Sequence, residues 1–192
     1  MADPVMLMDV RLSFPQIWHA KEFKQGDGKP RFDATFLIVP DSENDKKIRG
    51  AINKAALAAF DGNAAKAEQF IKTHAGQRQT FCYLDGNTQD YDGYAGHWYL
   101  ACHRQLKDGR PKIFGLNPKA GELTEADGIP YAGCYVNAKI EIYVQTKGNP
   151  GVRASFSGIQ FARDGDAFSG GAVATEDDFD NLAEGADAPA MF

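Results

Sequence analysis

The chain has 192 residues, of which 43% are hydrophobic, so it can form one domain with a substantial core but not two ordinary ones. No apolar run approaches 18 residues, and the first eight residues lack a basic lead and a cleavable apolar stretch. We therefore expect neither a membrane span nor a signal peptide. The three cysteines are an odd number without close pairing, which favours buried, reduced thiols.

Charge is segregated along the chain, and the net charge of −5 hides this. All 21 Lys and Arg residues lie at or before Arg163, which gives residues 1–163 a net charge of +3 and residues 164–192 a net charge of −8. Such asymmetry is typical of a nucleic-acid surface followed by an acidic interaction tail. A solubilising tail on a nearly neutral domain gives the same pattern, and charge alone leaves both interpretations open.

The first third of the chain predicts two strands and two helices. Residues 5–14 alternate as a strand that Pro15 ends, with Val10, Leu12 and Phe14 on one face. Residues 31–39 form a second strand, whose apolar face opposes the face of Arg31. Ser42, with Asp45 three residues later, predicts the start of a helix, and residues 64–73 predict a shorter one.

The remainder of the body predicts five more strands, at 80–84, 97–105, 111–116, 134–146 and 152–163. Alternation in the last strand slips near Gly158, which indicates a bulge. Long, bulged strands with two inserted helices predict a mainly β (α+β) fold, an OB-fold-like barrel. The sequence after Arg163 is rich in Gly, Ala, Ser and Asp, so we expect a domain at 1–163 and a disordered acidic tail at 164–192.

The strand at 134–146 carries the clearest candidate binding surface. Tyr135, Lys139 and Tyr143 recur every fourth residue and so share the face opposite its apolar side chains. Bases can stack on such rings while cations hold phosphates. The alternative is a solvated strand face on which tyrosine serves β-propensity.

A second candidate surface lies between residues 97 and 112, where aromatic residues and cations alternate. Trp98 shares the parity of the core residues Leu100 and Cys102, whereas Tyr99 has the opposite parity and is the better stacking candidate. The loop at 91–94 holds two tyrosines beside a glycine, and these predict either a cover over a bound strand or packing on the barrel end.

Catalytic and metal-binding motifs are weak. The cysteines lack the paired spacing of a structural zinc site. Several loop aspartates could imitate a two-metal nuclease centre, although aspartate is common in turns for conformational reasons. The residues concerned are Asp85, Asp90, Asp92 and Asp108.

Several short segments resemble a family of tailed-bacteriophage proteins whose characterised members bind single-stranded DNA and have an OB-fold. The segments are residues 10–15 (VRLSFP), 31–40 (RFDATFLIVP), 131–138 (YAGCYVNA), 151–153 (GVR) and 159–160 (IQ). The resemblance spans about residues 5–168. It implies non-specific binding of single strands during phage replication or recombination, in the cytoplasm of the bacterial host.

We therefore expect a sequence-tolerant single-stranded DNA-binding protein without catalysis or a cofactor. The expected stacking residues are Tyr99, Phe114, Tyr135 and Tyr143, and the expected phosphate contacts are Arg31, Arg104, Lys112, Lys139 and Arg153. The alternatives are a metal-dependent phage nuclease and a non-catalytic adaptor in a recombination complex.

The chain ends in a segment that combines acidic and apolar residues. Asp177, Asp178 and Phe192 are the residues expected to bind a partner, such as a phage or host replication or recombination protein. A flexible anionic segment can instead occupy a cationic groove, and a plain entropic tail is the third interpretation.

Overall fold

The computed structural model describes residues 3–22 and 28–168, which form a mainly β domain with two helices. The elements are β1 (Pro4–Lys21), β2 (Arg31–Ile38), α1 (Glu43–Ala59), α2 (Ala64–His74), β3 (Tyr83–Asp85), β4 (Trp98–Gln105), β5 (Lys112–Phe114), β6 (Tyr135–Gln145) and β7 (Gly151–Arg163). Neither helix within these residues is long and apolar enough to cross a membrane.

The seven strands form one sheet in the order β3-β4-β2-β1-β6-β7-β5. All neighbours are antiparallel except β5 and β7. The sheet curls until β4 and β7 lie against each other, and the Arg104 guanidinium donates to the Phe156 carbonyl at 3.5 Å across this seam. Five long strands thus enclose a single core, and the predicted OB-fold-like barrel with inserted helices is confirmed.

The alternation of side chains along β2 and β6 places the core where the sequence predicted it. Phe36 in β2 and Val136 and Ile140 in β6 are fully buried in one apolar cluster. The residues between them point outwards, as strand geometry requires. The predicted bulge is also present, because the pairing of β6 with β7 shifts register between Gly158 and Phe156.

Strand β1 is longer and less regular than the sequence predicted. It continues through Pro15 to Lys21, and its register shifts between Ser13 and Gln16. Phe14 has a φ of 47°, which turns its side chain away from the buried Leu12. The prediction that Phe14 faces the core is therefore wrong, since a left-handed residue breaks the alternation of a strand.

The chain remains packed on the barrel for five residues beyond β7. The Phe168 amide donates to the Ala132 carbonyl at 3.0 Å, and the Tyr131 hydroxyl lies 2.8 Å from an Asp164 carboxylate oxygen. Residues 164–168 were predicted to belong to the tail, whereas in the structure they pack on the barrel. Residues 169–192 lie outside the described residues.

Helix α1 begins at a buried carboxylate. The Ser42 hydroxyl accepts from the Asp45 amide at 3.3 Å, as the sequence predicted. The Asp45 carboxylate in turn accepts from the Tyr83 hydroxyl at 2.8 Å and from Arg49 Nε at 2.6 Å. Burial by itself would raise the pKa of Asp45, but hydrogen bonds from Tyr83, the Asp41 amide and Arg49 outweigh it and lower the pKa.

Replacing Asp45 with Asn should destabilise the fold, because an amide of the same size turns one acceptor into a donor facing other donors. We expect the free energy of unfolding to fall by about 2 kcal/mol at neutral pH. The lowered pKa means that this difference should shrink as the pH falls through the folded-state pKa of Asp45. Thermal unfolding measures both effects.

Glu43→Gln is the matched control, since Glu43 is an exposed acidic residue of the same helical turn that pairs only with Lys46 among the described residues. It should change the thermal midpoint little. Equal midpoints for the Asp45 and Glu43 variants would contradict the structural role of Asp45.

Candidate nucleic-acid interface

A cleft of about 1050 Å³ crosses the outer face of β1, β2 and β4. Its floor consists of the outward residues of these strands, and a loop between β3 and β4 forms one wall. The residues that carry its chemistry are Phe14, Lys21, Arg31, Asp33, Arg78, Tyr91, Tyr94, Tyr99, His103 and Phe168. In OB-folds, the comparable sheet face binds oligonucleotides and oligosaccharides.

The centre of the cleft floor is a group of polar side chains on β2 and β4. Asp33 and His103 are paired opposite each other, and the Asp33 carboxylate hydrogen-bonds to His103 Nδ1. The same carboxylate lies 3.2 Å from Arg31 Nε. The negative charge of Asp33 is therefore offset locally, so that it repels a phosphate less than an isolated carboxylate would.

One wall of the cleft is a cluster of aromatic rings. The Phe14 and Tyr91 rings meet edge to face with centroids 5.0 Å apart, and Tyr94 lies 5.4 Å from Tyr91. Phe14 is 55% exposed and Tyr91 is 45% exposed, whereas Tyr94 is buried with its hydroxyl 3.3 Å from that of Ser13. Burial raises the pKa of Tyr94, so its phenol remains neutral. Phe14 and Tyr91 thus offer ring surface to a flat ligand.

The backbone of Phe14 supports a binding role for its ring. A bulky residue at a φ of 47° is an outlier among L-amino acids, and such conformations cluster at ligand clamps. The conformation turns an apolar ring into the cleft, where it is more than half exposed. A phenylalanine in regular strand geometry, packed in the core, would have neither a strained backbone nor an apolar ring exposed to solvent.

Two exposed cations line the cleft in addition to Arg31. Lys21 ends β1, and Arg78 precedes the short strand β3. Both are exposed, and neither forms an ion pair with another described residue. Asp90 and Asp92 also line the cleft, so it is not strongly basic. Its chemistry combines stacking with a small number of phosphate contacts.

Two of the predicted DNA-contacting residues line this cleft. Arg31 lies on its floor, where the sequence placed it on the outward face of β2. Tyr99 also faces the cleft but is only 5% exposed, because Tyr94 covers it with a centroid distance of 5.2 Å. The expectation that Tyr99 is an open stacking surface is therefore corrected, since the loop that carries Tyr94 folds over it.

The interpretation that the loop at 91–94 packs on the barrel holds for Tyr94, and its role as a cover over a bound strand stays a prediction. Tyr94 packs on the barrel, while Tyr91 remains exposed above the cleft. The remaining predicted residues do not line this cleft: one lies on β4 at its seam with β7, and the others lie on β5, β6 and β7, here called the second face. They are Arg104, Lys112, Phe114, Tyr135, Lys139, Tyr143 and Arg153.

The second face offers fewer free groups than its sequence suggested. The Arg163 guanidinium covers the Tyr135 ring at 3.4 Å from its centroid, which leaves that side of the ring closed to a base. Lys112 is paired with Glu122, and Phe114 is half-buried. Tyr143 is 41% exposed and Lys139 is exposed, so these two remain accessible. Their contact with DNA stays a prediction.

Two of the residues predicted to contact phosphates donate hydrogen bonds to backbone carbonyls of the protein itself. Arg104 Nε donates to the Gly109 carbonyl at 2.7 Å, and the Arg153 guanidinium donates to the Gln79 carbonyl at 2.7 Å. Each side chain therefore has a structural partner with which a phosphate would compete. Sequence patterns do not show such contacts, because the accepting carbonyls belong to loops whose path is set by tertiary structure.

Among the loop aspartates, Asp85 has a turn role. Asp85 accepts from the Asn87 amide at 2.9 Å, the contact expected of aspartate in a turn. Within residues 3–22 and 28–168, no group of three or more His, Cys, Asp or Glu side chains could hold a metal ion. Burial raises the pKa of the Cys82 thiol to about 12, so this thiol stays protonated.

Sequence reasoning missed Phe14, Lys21 and Arg78 as cleft residues. Phe14 looked like a core position because its left-handed conformation has no signature in the strand pattern. Lys21 and Arg78 lay in segments without a clear pattern, and only the fold brings them into the same cleft as Tyr91.

A closed five-stranded barrel with an aromatic and cationic cleft on this sheet face defines a nucleic-acid-binding protein of the OB-fold type. Comparison with known proteins makes the class specific. The chain belongs to the family of the single-stranded DNA-binding protein of Enterobacter phage Enc34, whose family model matches residues 3–189. The resemblance seen in the sequence is thereby confirmed.

Individual relatives agree with this assignment. Protein p50 of Acyrthosiphon pisum secondary endosymbiont phage 1 is 39% identical over 181 residues, which are 93% of this chain and 94% of that protein. The Enc34 protein, solved in complex with single-stranded DNA, has a TM-score of 0.68 at 19% identity, over 86% of this chain and 89% of its own. The single-stranded DNA-binding protein gp2.5 of bacteriophage T7 has a TM-score of 0.53 at 13% identity, over 96% and 94%. These two structural likenesses concern the fold.

Proposed function

We propose that the cleft across β1, β2 and β4 binds a short stretch of single-stranded DNA. The observation that carries the proposal is the exposed, left-handed Phe14, whose ring lies edge to face with Tyr91 inside the cleft. Two such rings can hold unpaired bases by stacking. A duplex keeps its bases stacked on one another, so this surface favours a single strand.

Binding of this kind tolerates sequence. Every base has a π face, so stacking on Phe14 and Tyr91 accepts all four bases. Lys21, Arg31 and Arg78 can neutralise phosphates, which carry no sequence information. The polar floor is occupied by the Asp33–His103 pair rather than by groups free to read a base edge.

The biological setting follows from the family. We infer that the protein coats or sequesters single strands during phage DNA replication or recombination in the cytoplasm of the infected bacterium, and that it does so without catalysis. The match to a family of DNA-binding proteins supports a binding role. A two-metal nuclease would degrade the strand when Mg²⁺ is added, so an oligonucleotide that stays intact both with and without Mg²⁺ would argue against that alternative.

Phe14→Ala and Tyr91→Ala should each weaken binding to a single strand, because each removes a ring on which a base can stack. The expected loss is about 1–3 kcal/mol per fully stacked ring. Titration of labelled dT and mixed-sequence oligonucleotides, with a duplex control, measures this loss. Thermal midpoints should change little, since both rings are about half exposed.

Tyr143→Ala is the matched control on the second face, where it removes a tyrosine of similar exposure. Wild-type affinity in this variant, together with weakened Phe14 and Tyr91 variants, places the strand in the cleft. The reverse result would place it on the β6 face, with Lys139 and Tyr143 as its contacts.

The salt dependence should be modest for a DNA-binding protein. Each phosphate contact on a single strand contributes about −0.7 to the slope of log affinity against log salt, so three cleft cations give about −2. Titrations at several salt concentrations measure the slope. A slope far steeper than this would show that many cations outside the cleft contact the backbone.

We also propose that the acidic tail competes with DNA for the cleft, with Asp177 and Asp178 as part of its charge and Phe192 as a contact for partner proteins. Phe168, the last residue that the structure describes, lines the cleft, and the acidic segment follows it directly in the sequence. A short flexible tether gives an effective concentration on the order of millimolar. Six acidic residues follow Phe168, and they could offset the few cations of the cleft.

Deleting residues 169–192 should therefore tighten binding of a single strand at low salt, and the gain should shrink as salt screens the tail. Titrations of the full-length and shortened proteins at two salt concentrations test this. Equal affinities at low salt would leave partner binding or solubility as the role of the tail.

A further inference from the structure

We propose that residues 164–168, here called the strap, hold the aromatic loop at 91–94 in its DNA-binding position, and that Phe168 is the positioning residue. The inference rests on the proposed function of the cleft. The strap comprises the first five residues after β7, and its positioning role does not depend on the charge of the tail that follows it.

The strap is fixed along the segment that precedes β6. The Tyr131 hydroxyl lies 2.8 Å from Asp164 Oδ1 and 3.0 Å from the Gly165 carbonyl oxygen. At its far end, the Phe168 amide donates to the Ala132 carbonyl at 3.0 Å. Contacts at both ends give this short irregular segment a defined path.

Arg11 clamps the strap onto β1. Its Nε donates to the Gly133 carbonyl at 3.1 Å, and its Nη2 donates to the Asp166 carbonyl at 2.8 Å. The guanidinium carbon also lies 4.4 Å from the centroid of the Phe168 ring. One side chain of the barrel thus orients both the backbone and the aromatic ring of the strap.

Two glycines leave room for this arrangement. A Cβ on Gly133 would lie 2.2 Å from the Asp166 carbonyl oxygen, so a side chain there would displace the strap. A Cβ on Gly93 would lie 2.6 Å from Phe168 Cζ. Gly93 is the middle of the aromatic loop, and its φ of 79° favours glycine in any case.

The contact at Gly93 links the strap to the cleft. The Phe168 ring packs directly against the loop that carries Tyr91 and Tyr94, and it also lines the cleft itself. Tyr91 is nearly half exposed, so few contacts of its own hold it over the cleft. Removing the ring of Phe168 takes away a partner that fixes the loop between its two tyrosines.

The test uses the full-length chain with Phe168→Ala, its conservative counterpart Phe168→Leu, and Leu116→Ala as a control. Leu116 is an exposed apolar residue remote from the cleft lining. Hydrogen exchange of the amides at 89–96 reports on the loop without DNA, while oligonucleotide titration reports on binding. Thermal unfolding separates a local effect from loss of the fold.

Phe168→Ala should increase the amide exchange rate in the loop about tenfold. It should also raise the dissociation constant for the oligonucleotide about tenfold. This factor is expected for loss of a partly buried ring with a cation–π contact. The thermal midpoint should stay close to wild type. Phe168→Leu should show slower exchange and higher affinity than Phe168→Ala, because it keeps apolar bulk against Gly93 without adding an atom beyond the ring. Leu116→Ala should resemble wild type in all three measurements.

Two results would overturn the inference. Unchanged loop exchange in Phe168→Ala would show that the strap does not hold the loop, whatever happens to binding. Faster exchange with unchanged affinity, in a protein that Phe14→Ala does weaken, would show that the loop position does not matter for DNA. Unchanged affinity in Phe14→Ala would instead refute the cleft as the DNA site, and the DNA-positioning role of Phe168 with it.

Discussion

Each strand of the closed barrel must direct every second side chain into a core that admits only apolar groups. In β2 this requirement buries Phe32 and Phe36, and it turns Arg31 and Asp33 outwards. In β4 it buries Leu100 and turns its polar neighbours to the same outer surface as those of β2. The floor of the cleft is thus formed by the alternate residues of the same strands, which point away from the core.

The aromatic wall of the cleft depends on departures from that pattern. Phe14 reaches the cleft because β1 leaves strand geometry there, and Tyr91 reaches it because a loop folds back over β4. Regular strands provide the polar floor, whereas irregular segments provide the rings. The same loop buries Tyr99. It therefore exposes one aromatic ring, that of Tyr91, to the cleft and covers another.

Much of the fold was predictable from the sequence because it depends on local alternation and capping. Ser42 began a helix as expected, and Val136 and Ile140 faced the core. The residues free to bind a ligand were less predictable, because their availability depends on contacts between residues far apart in the chain. Arg153 looked like a free cation but donates to the carbonyl of Gln79, 74 residues away, and no pattern in either segment indicates that contact.

One ion pair joins the two ends of the barrel. The Arg163 guanidinium at the end of β7 donates to both carboxylate oxygens of Asp9 in β1, at 2.8 and 2.9 Å, across 154 residues of sequence. Strand β1 itself pairs with β6, the sixth of the seven strands. Contacts of such long range require closure of long loops and slow the folding of β proteins. During synthesis, β1 leaves the ribosome long before its partner β6 does. The barrel can therefore close only when nearly the whole domain has been synthesised.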